Sequence, residues 1–162
     1  MVVFDVAIGP LVKWVQATRI ATTVGQSLLL TGFISSIHLL GLTLLVGGVL
    51  VSSLRLLGVI FPERPLLDVT GAADRGIMLG LAISVATGLL LFAARAVEIA
   101  ENGFFQLKML LLVAAAVFYF AVYRNISRRA HVQPRLLRFT GALGLALWFA
   151  VALAGCAFIL LE

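Results

Sequence analysis

His38 is the single histidine inside a long apolar stretch, and its neighbours are arranged for chemistry. Ser27, Thr31, Ser35 and His38, followed by Gly41, Gly48 and Ser52, recur at spacings of three, four or seven residues. That recurrence places them on one face of a helix. An imidazole on such a face admits three chemistries. It can be a neutral hydrogen-bonding group that holds helices together. It can be an axial ligand of a b-type haem lodged between facing helices. It can relay protons or handle a metal. Met78 and Met109 are candidate sixth ligands for the haem, and a second His38 from a symmetric dimer is another. A five-coordinate iron needs neither. His131 lies among arginines and reads as facing solvent or lipid phosphate. Ser84 and Thr87, with Gly80 and Gly88, form a matching polar face on the second apolar stretch. Gly141, Gly144, Trp148, Ala152 and Gly155 do so on the fourth.

These residues sit in a very apolar chain. Of 162 residues, 62% are hydrophobic and 12% charged, with a mean hydropathy of +1.16. Soluble domains are nearer 45–50% apolar and about 25% charged. The composition excludes a soluble globular enzyme, a disordered chain and a nucleic-acid-binding domain. A span needs about 20 apolar residues, so this length holds four spans and short connections. Charged residues delimit them at about 27–52, 76–96, 104–123 and 139–161. The expected fold is an all-α integral membrane protein, one antiparallel four-helix transmembrane bundle over residues 1–162. Residues 1–22 read as an interfacial amphipathic helix with Pro10 near its start and Trp14 as its anchor. A stretch containing Asp5, Gly9 and Pro10 without a basic lead does not read as a cleavable leader.

Charge placement gives an expected orientation. Arg55, Arg64, Arg75, Arg124, Arg128, Arg129, Arg135 and Arg138 fall on one side; Lys13, Arg19, Arg95 and Lys108 fall on the other. The positive-inside rule puts the loops at 56–75 and 124–138 in the cytoplasm and both termini in the periplasm. Arg128 and Arg129 suit lipid phosphate, and Tyr123 suits an interfacial anchor. Asp74 is expected to pair with Arg55 and to favour a helix start. Arg95, Glu98 and Glu101 form an expected periplasmic network with Lys108, which can snorkel outward. Cys156 reads as a packed thiol, and one cysteine allows no disulfide within the chain. No nucleophilic triad, paired intramembrane carboxylates, phosphate loop or Cys/His cluster can be assembled. Every carboxylate is expected outside the apolar centres, which argues against catalysis and proton-coupled transport.

Several segments together resemble a family of small bacterial four-helix inner-membrane proteins known as a domain of unknown function. They are WVQAT at 14–18, HLLGLTLLVGG at 38–48, LRLLG at 54–58, TGLLLF at 87–92, NGFFQLKMLLL at 102–112 and GALGLALWFAVALAG at 141–155. The resemblance covers nearly the whole chain. It implies the four-helix bundle with an N-terminal amphipathic segment, and a distant similarity to copper-resistance type D membrane domains. It also implies a second histidine late in the third span, where this chain has Tyr119 after Phe118. The resulting expectation is a non-catalytic subunit or accessory protein of a bacterial redox or envelope complex, with His38 as candidate ligand of haem b. The competing expectations are a small transporter or metal-handling protein with a polar path along Ser27, Thr31, Ser35 and His38, and a ligand-free packing protein. Expected partners are membrane lipids and other membrane subunits or a second copy, not nucleic acid.

Overall fold

The computed structural model describes residues 2–129 and 132–160, with side chains placed from Gly9 onward except at residue 159. The elements are α1 (Val2–Gln16), α2 (Arg19–Gln26), α3 (Leu28–Leu57), α4 (Leu66–Ala94), α5 (Ala96–Glu101) and α6 (Gly103–Phe118). A π-helical turn at Tyr119–Tyr123 carries α6 into α7 (Arg124–Ser127), and α8 runs over Pro134–Leu160. Four helices are long and apolar enough to cross a membrane: Leu28–Leu57, Leu66–Ala94, Gly103–Ser127 and Pro134–Phe158. With 30 and 29 residues, α3 and α4 reach roughly 45 Å, the width of a bilayer with its head groups. The protein is therefore an all-α membrane bundle. Its outward side chains fit lipid, with Leu28 and Leu29 each 88% exposed.

Local chemistry sets the helix ends. Ser27 accepts a hydrogen bond from the Leu30 amide at 3.3 Å and caps α3. Thr31 donates its hydroxyl to the Val24 carbonyl at 2.7 Å, holding the corner between α2 and α3. Gly58 closes α3 at φ +80°, its amide donating to the Arg55 carbonyl while Val59 donates to Leu54. Asn102 caps α6 through the amides of Phe104 and Phe105. Gln16 of α1 accepts from the Val97 amide at 2.8 Å and so covers the start of α5.

The bundle is built outward from α3. The α3/α4 seam is the closest contact, because glycines let the backbones meet. A Cβ on Gly80 would fall 2.5 Å from the Leu45 nitrogen and 2.6 Å from the Gly41 carbonyl. On its other side α3 packs on α8 at Gly141, whose missing Cβ would lie 2.9 Å from the Ser53 carbonyl. In turn α8 packs on α6, with Gly144 against the Tyr123 ring. Leu45, Val49, Leu56, Ile77, Ala115, Trp148 and Val151 fill the centre. Between α4 and α6 the contact is made by side chains, with Phe92 stacked on Phe105 at 5.3 Å between ring centroids.

Three boundaries differ from the charge-based expectation. The helix of the second span starts at Leu66 rather than 76, so Asp74 and Arg75 lie inside it. The fourth starts at Pro134 rather than 139. The N-terminal segment is two helices, broken at residues 17 and 18 where Thr18 caps α2. The reason is common to the first two. Charge marks where a chain leaves hydrocarbon, but a helix continues through the head-group layer until a proline or cap ends it.

Candidate functional site

Two polar clusters lie in the helical bundle, at different depths. The first is centred on His38. Its Nδ1 lies 2.9 Å from the Thr87 hydroxyl oxygen. Thr87 already donates its one proton to the Ile83 carbonyl at 2.6 Å. With that proton engaged, the geometry favours the tautomer in which Nδ1 donates to Thr87, and the Ser84 backbone gives the ring a second hydrogen-bonding contact. Histidines that bind metals use this arrangement, in which a hydrogen bond at one nitrogen orients the other. Gly88 makes room for the ring, since a Cβ there would lie 3.1 Å from His38 Cε1. The Lys108 ammonium is near enough to act electrostatically on the ring. It lies against α8, with Nζ 3.6 Å from where a Gly155 Cβ would be.

The remaining candidates divide around this centre. Ser84, one turn from Thr87, is buried and its hydroxyl has no hydrogen-bond partner. That hydroxyl lies 2.8 Å from the position of a Gly41 Cβ. Ser27 and Thr31 serve the α2/α3 corner instead of a path toward His38. Ser35 is half-buried and makes no side-chain hydrogen bond among the described residues. Met78 packs against the apolar core. It is nine residues from Thr87 along α4, roughly 14 Å, too far to share an iron with His38. Met109 is 40% exposed on the outside of α6. Cys156 is exposed rather than packed inside. Trp14 projects outward at 68% exposure, on the face opposite buried Val12. His131 lies outside the described residues.

The second cluster surrounds Asp74, near the basic end. Its carboxylate accepts from the Tyr119 hydroxyl and, at 2.5 Å, from Arg128. Arg124 Nε adds a contact at 3.4 Å. Asp74 does not pair with Arg55, whose guanidinium reaches the Arg64 carbonyl at 2.7 Å. Arg128 is thus an ion-pair partner as well as a surface arginine, half exposed, while Arg129 is exposed and takes no part. Tyr123 is not an interfacial anchor. It is 2% exposed, with its hydroxyl 2.9 Å from Ser53 Oγ. The π-helical turn produces this geometry by stacking Tyr119 on Tyr123, centroids 5.7 Å apart. Such turns recur at functional or strained points of helices. Thr70 completes the layer, its hydroxyl shared between the Leu66 carbonyl at 2.9 Å and the Ser127 carbonyl at 3.1 Å.

Sequence reading missed the Asp74 cluster because it placed Asp74 in a loop. A signal was present. Asp74 is eight residues past Leu66, and Tyr119, Tyr123 and Ser127 recur every four residues opposite it. At the other end, Arg95 binds Glu98 through two bonds, at 3.0 and 2.7 Å. That pairing holds the Glu98 carboxyl below the ordinary glutamate range. Lys108 is not part of it, since α6 carries the lysine inward against Gly155.

Among the described residues, no three metal-ligating side chains come together. The geometry as a whole defines an all-α membrane bundle with one intramembrane imidazole and one ion-paired carboxylate. The chain belongs to a family of unknown function (DUF6644), which it matches over residues 6–160. No curated protein and no solved structure matches it.

Proposed function

We propose that the chain is a non-catalytic integral membrane subunit or accessory protein of a bacterial redox or envelope complex, with His38 as its ligand-binding residue. The observation that supports this reading is the His38–Thr87–Ile83 chain, which holds the ring by Nδ1 and favours the tautomer with an Nε2 lone pair for a ligand. A b-type haem is the group this imidazole suits, and when bound it supplies one-electron transfer. His38 would hold it at Nε2. Thr87 holds the ring by Nδ1, and Gly88 leaves room for it beside α4. Neither Met78 nor Met109 is placed to complete the coordination. Tyr119, where the family resemblance implies a second histidine, is committed to Asp74. Asp74 is thirteen residues from Thr87 on α4, about 20 Å away. A sixth ligand, where there is one, comes from a second copy or a partner. The eight arginines support an orientation in the inner membrane with the basic end cytoplasmic and the termini periplasmic.

A transporter with a polar path along Ser27, Thr31, Ser35 and His38 fits less well, because Ser27 and Thr31 are tied into the α2/α3 corner. The test is an absorption spectrum of detergent-purified protein, oxidised and dithionite-reduced, with a pyridine haemochrome assay. The expected result is near-stoichiometric haem that His38→Ala removes while the melting transition stays cooperative. Thr87→Val should keep the ligand but weaken it by roughly tenfold or more, since it removes the acceptor that orients the ring. A colourless wild type made with ample haem, or an unchanged Soret band in His38→Ala, sinks the proposal.

A further inference from the structure

A cavity of about 330 Å³ opens at the basic end of the bundle, where α3 ends and α4 and α8 begin. Two arginines line it, Arg55 from the last turn of α3 and Arg138 from the second turn of α8. Leu57, Leu66, Leu137 and Pro134 make its apolar wall. The Arg55 guanidinium gives one bond to the Arg64 carbonyl, and its Nε is buried without any acceptor. Arg138 is exposed and makes no hydrogen bond or ion pair among the described residues. The α4 cap residue is Pro65, which makes no side-chain cap hydrogen bond, and Asp68 in the first turn offsets the positive dipole end there, so the two arginines are what gives the cavity its charge. The loop that frames the cavity is held in shape. Phe61 adopts φ +48°, and Arg64 donates its amide to the Phe61 carbonyl while accepting from Arg55.

A buried guanidinium nitrogen without a hydrogen bond leaves room for an acceptor. Arg124 Nε shares that state but has the Asp74 carboxylate at 3.4 Å, whereas Arg55 makes no ion pair among the described residues. Two arginines that converge without any carboxylate call for an anion, and the fork of guanidinium donors matches a phosphate. The leucine wall distinguishes the source. A free phosphate gains nothing from it, whereas a phospholipid lays glycerol and upper acyl carbons along it. We infer that the cavity between α3, α4 and α8 binds the phosphate of an anionic phospholipid through Arg55 and Arg138, with its chains against Leu57 and Leu137. This site is separate from His38 and does not depend on haem.

The experiment uses the full chain in detergent, delipidated and then offered phosphatidylglycerol or cardiolipin against phosphatidylcholine, with retained lipid read by native mass spectrometry. Wild type should keep the anionic lipids selectively. Each charge removed, as Arg55→Gln or Arg138→Gln, should cost about fivefold in apparent affinity, and both together roughly twenty-five-fold. Arg129→Gln, outside the cavity, should change it less than about twofold. Should Arg55→Gln fail to fold, Arg138→Glu carries the test, because Arg138 has no partner to lose. Anionic lipid retained at wild-type level in these variants overturns the inference. An equal loss in Arg129→Gln overturns it too, as unspecific attraction to charge. Displacement of the lipid by inorganic phosphate alone assigns the site to the free anion and overturns the lipid.

Discussion

The two polar clusters in the bundle are built on opposite principles. Asp74 meets Tyr119, Arg128 and Arg124, and the same layer adds Tyr123 to Ser53 and Thr70 to the Ser127 carbonyl. Its groups are paired across α3, α4, the π-helical turn and α7, with Arg124 Nε held by an ion-pair contact to Asp74 rather than by a hydrogen bond. His38 has the reverse character. Among the described residues its ring is met by the Thr87 hydroxyl and the Ser84 backbone alone, and the Ser84 hydroxyl nearby is buried with no partner. Inside a membrane a matched network is glue, while an unmatched polar group is a place where something binds. The same contrast separates Arg128, neutralised by Asp74, from Arg55 and Arg138, which face a cavity.

Beneath both clusters lies the α3/α4 seam, and breaking it should have the largest effect. Even Gly80→Ala would drive a Cβ to 2.5 Å from the Leu45 backbone nitrogen, and no side chain can move aside to relieve it. Loss of about 3 kcal/mol is expected, the upper part of the usual range for overpacking. Gly47→Ala is the control on the same face-to-face helix pair, because nothing lies within 4 Å of its Cβ position. Thermal or detergent unfolding with monodispersity as readout compares them. Equal stability of the two variants would mean that the seam is not closed as described.

Next in size is the ion-paired cluster itself. Asp74→Asn keeps an acceptor for Tyr119 but removes the charge facing Arg128 and Arg124, so about 2–3 kcal/mol should be lost, less than for a fully buried pair. Tyr119→Phe removes one hydrogen bond and should cost about 1 kcal/mol. Neither should alter a ligand at His38, some 20 Å away along α4. A change in its spectrum on Asp74→Asn would break the separation between the clusters.

The architecture was legible from apolar length alone, because bilayer thickness dictates helix length and four such stretches have few ways to fold. His38 was legible for a related reason: an ionisable residue in hydrocarbon stands out. Its partner Thr87 was visible as a small polar residue on a neighbouring face, though pairing it with His38 needed the register of α3 on α4. The Asp74 cluster was not legible as such. Its members come from three helices, and the π-helical turn that swings Tyr119 and Tyr123 inward has no simple sequence marker. Arg55 and Asp74 looked like partners because both flank the same loop, yet α4 begins so early that Asp74 reaches α6 and α7 instead.

The smallest effect belongs to the far end of the bundle, where Arg95 and Glu98 pair three residues apart on the surface. Arg95 holds the Glu98 carboxyl below its ordinary value of 4.5. A carboxyl lowered in the folded state contributes stability that is present above that ordinary value and lost as the pH falls through the folded one. The pair should therefore matter at neutral pH and vanish under acid, but its carboxylate is fully solvated and salt screens it. Glu98→Gln should leave the unfolding transition at pH 7 within experimental scatter, and the variant and wild type should coincide well below pH 4.5. A clear drop at pH 7 that added salt does not reduce would mean that α5 is held by this pair. The α1 contact through Gln16 and the Val97 amide would then not be the main tie.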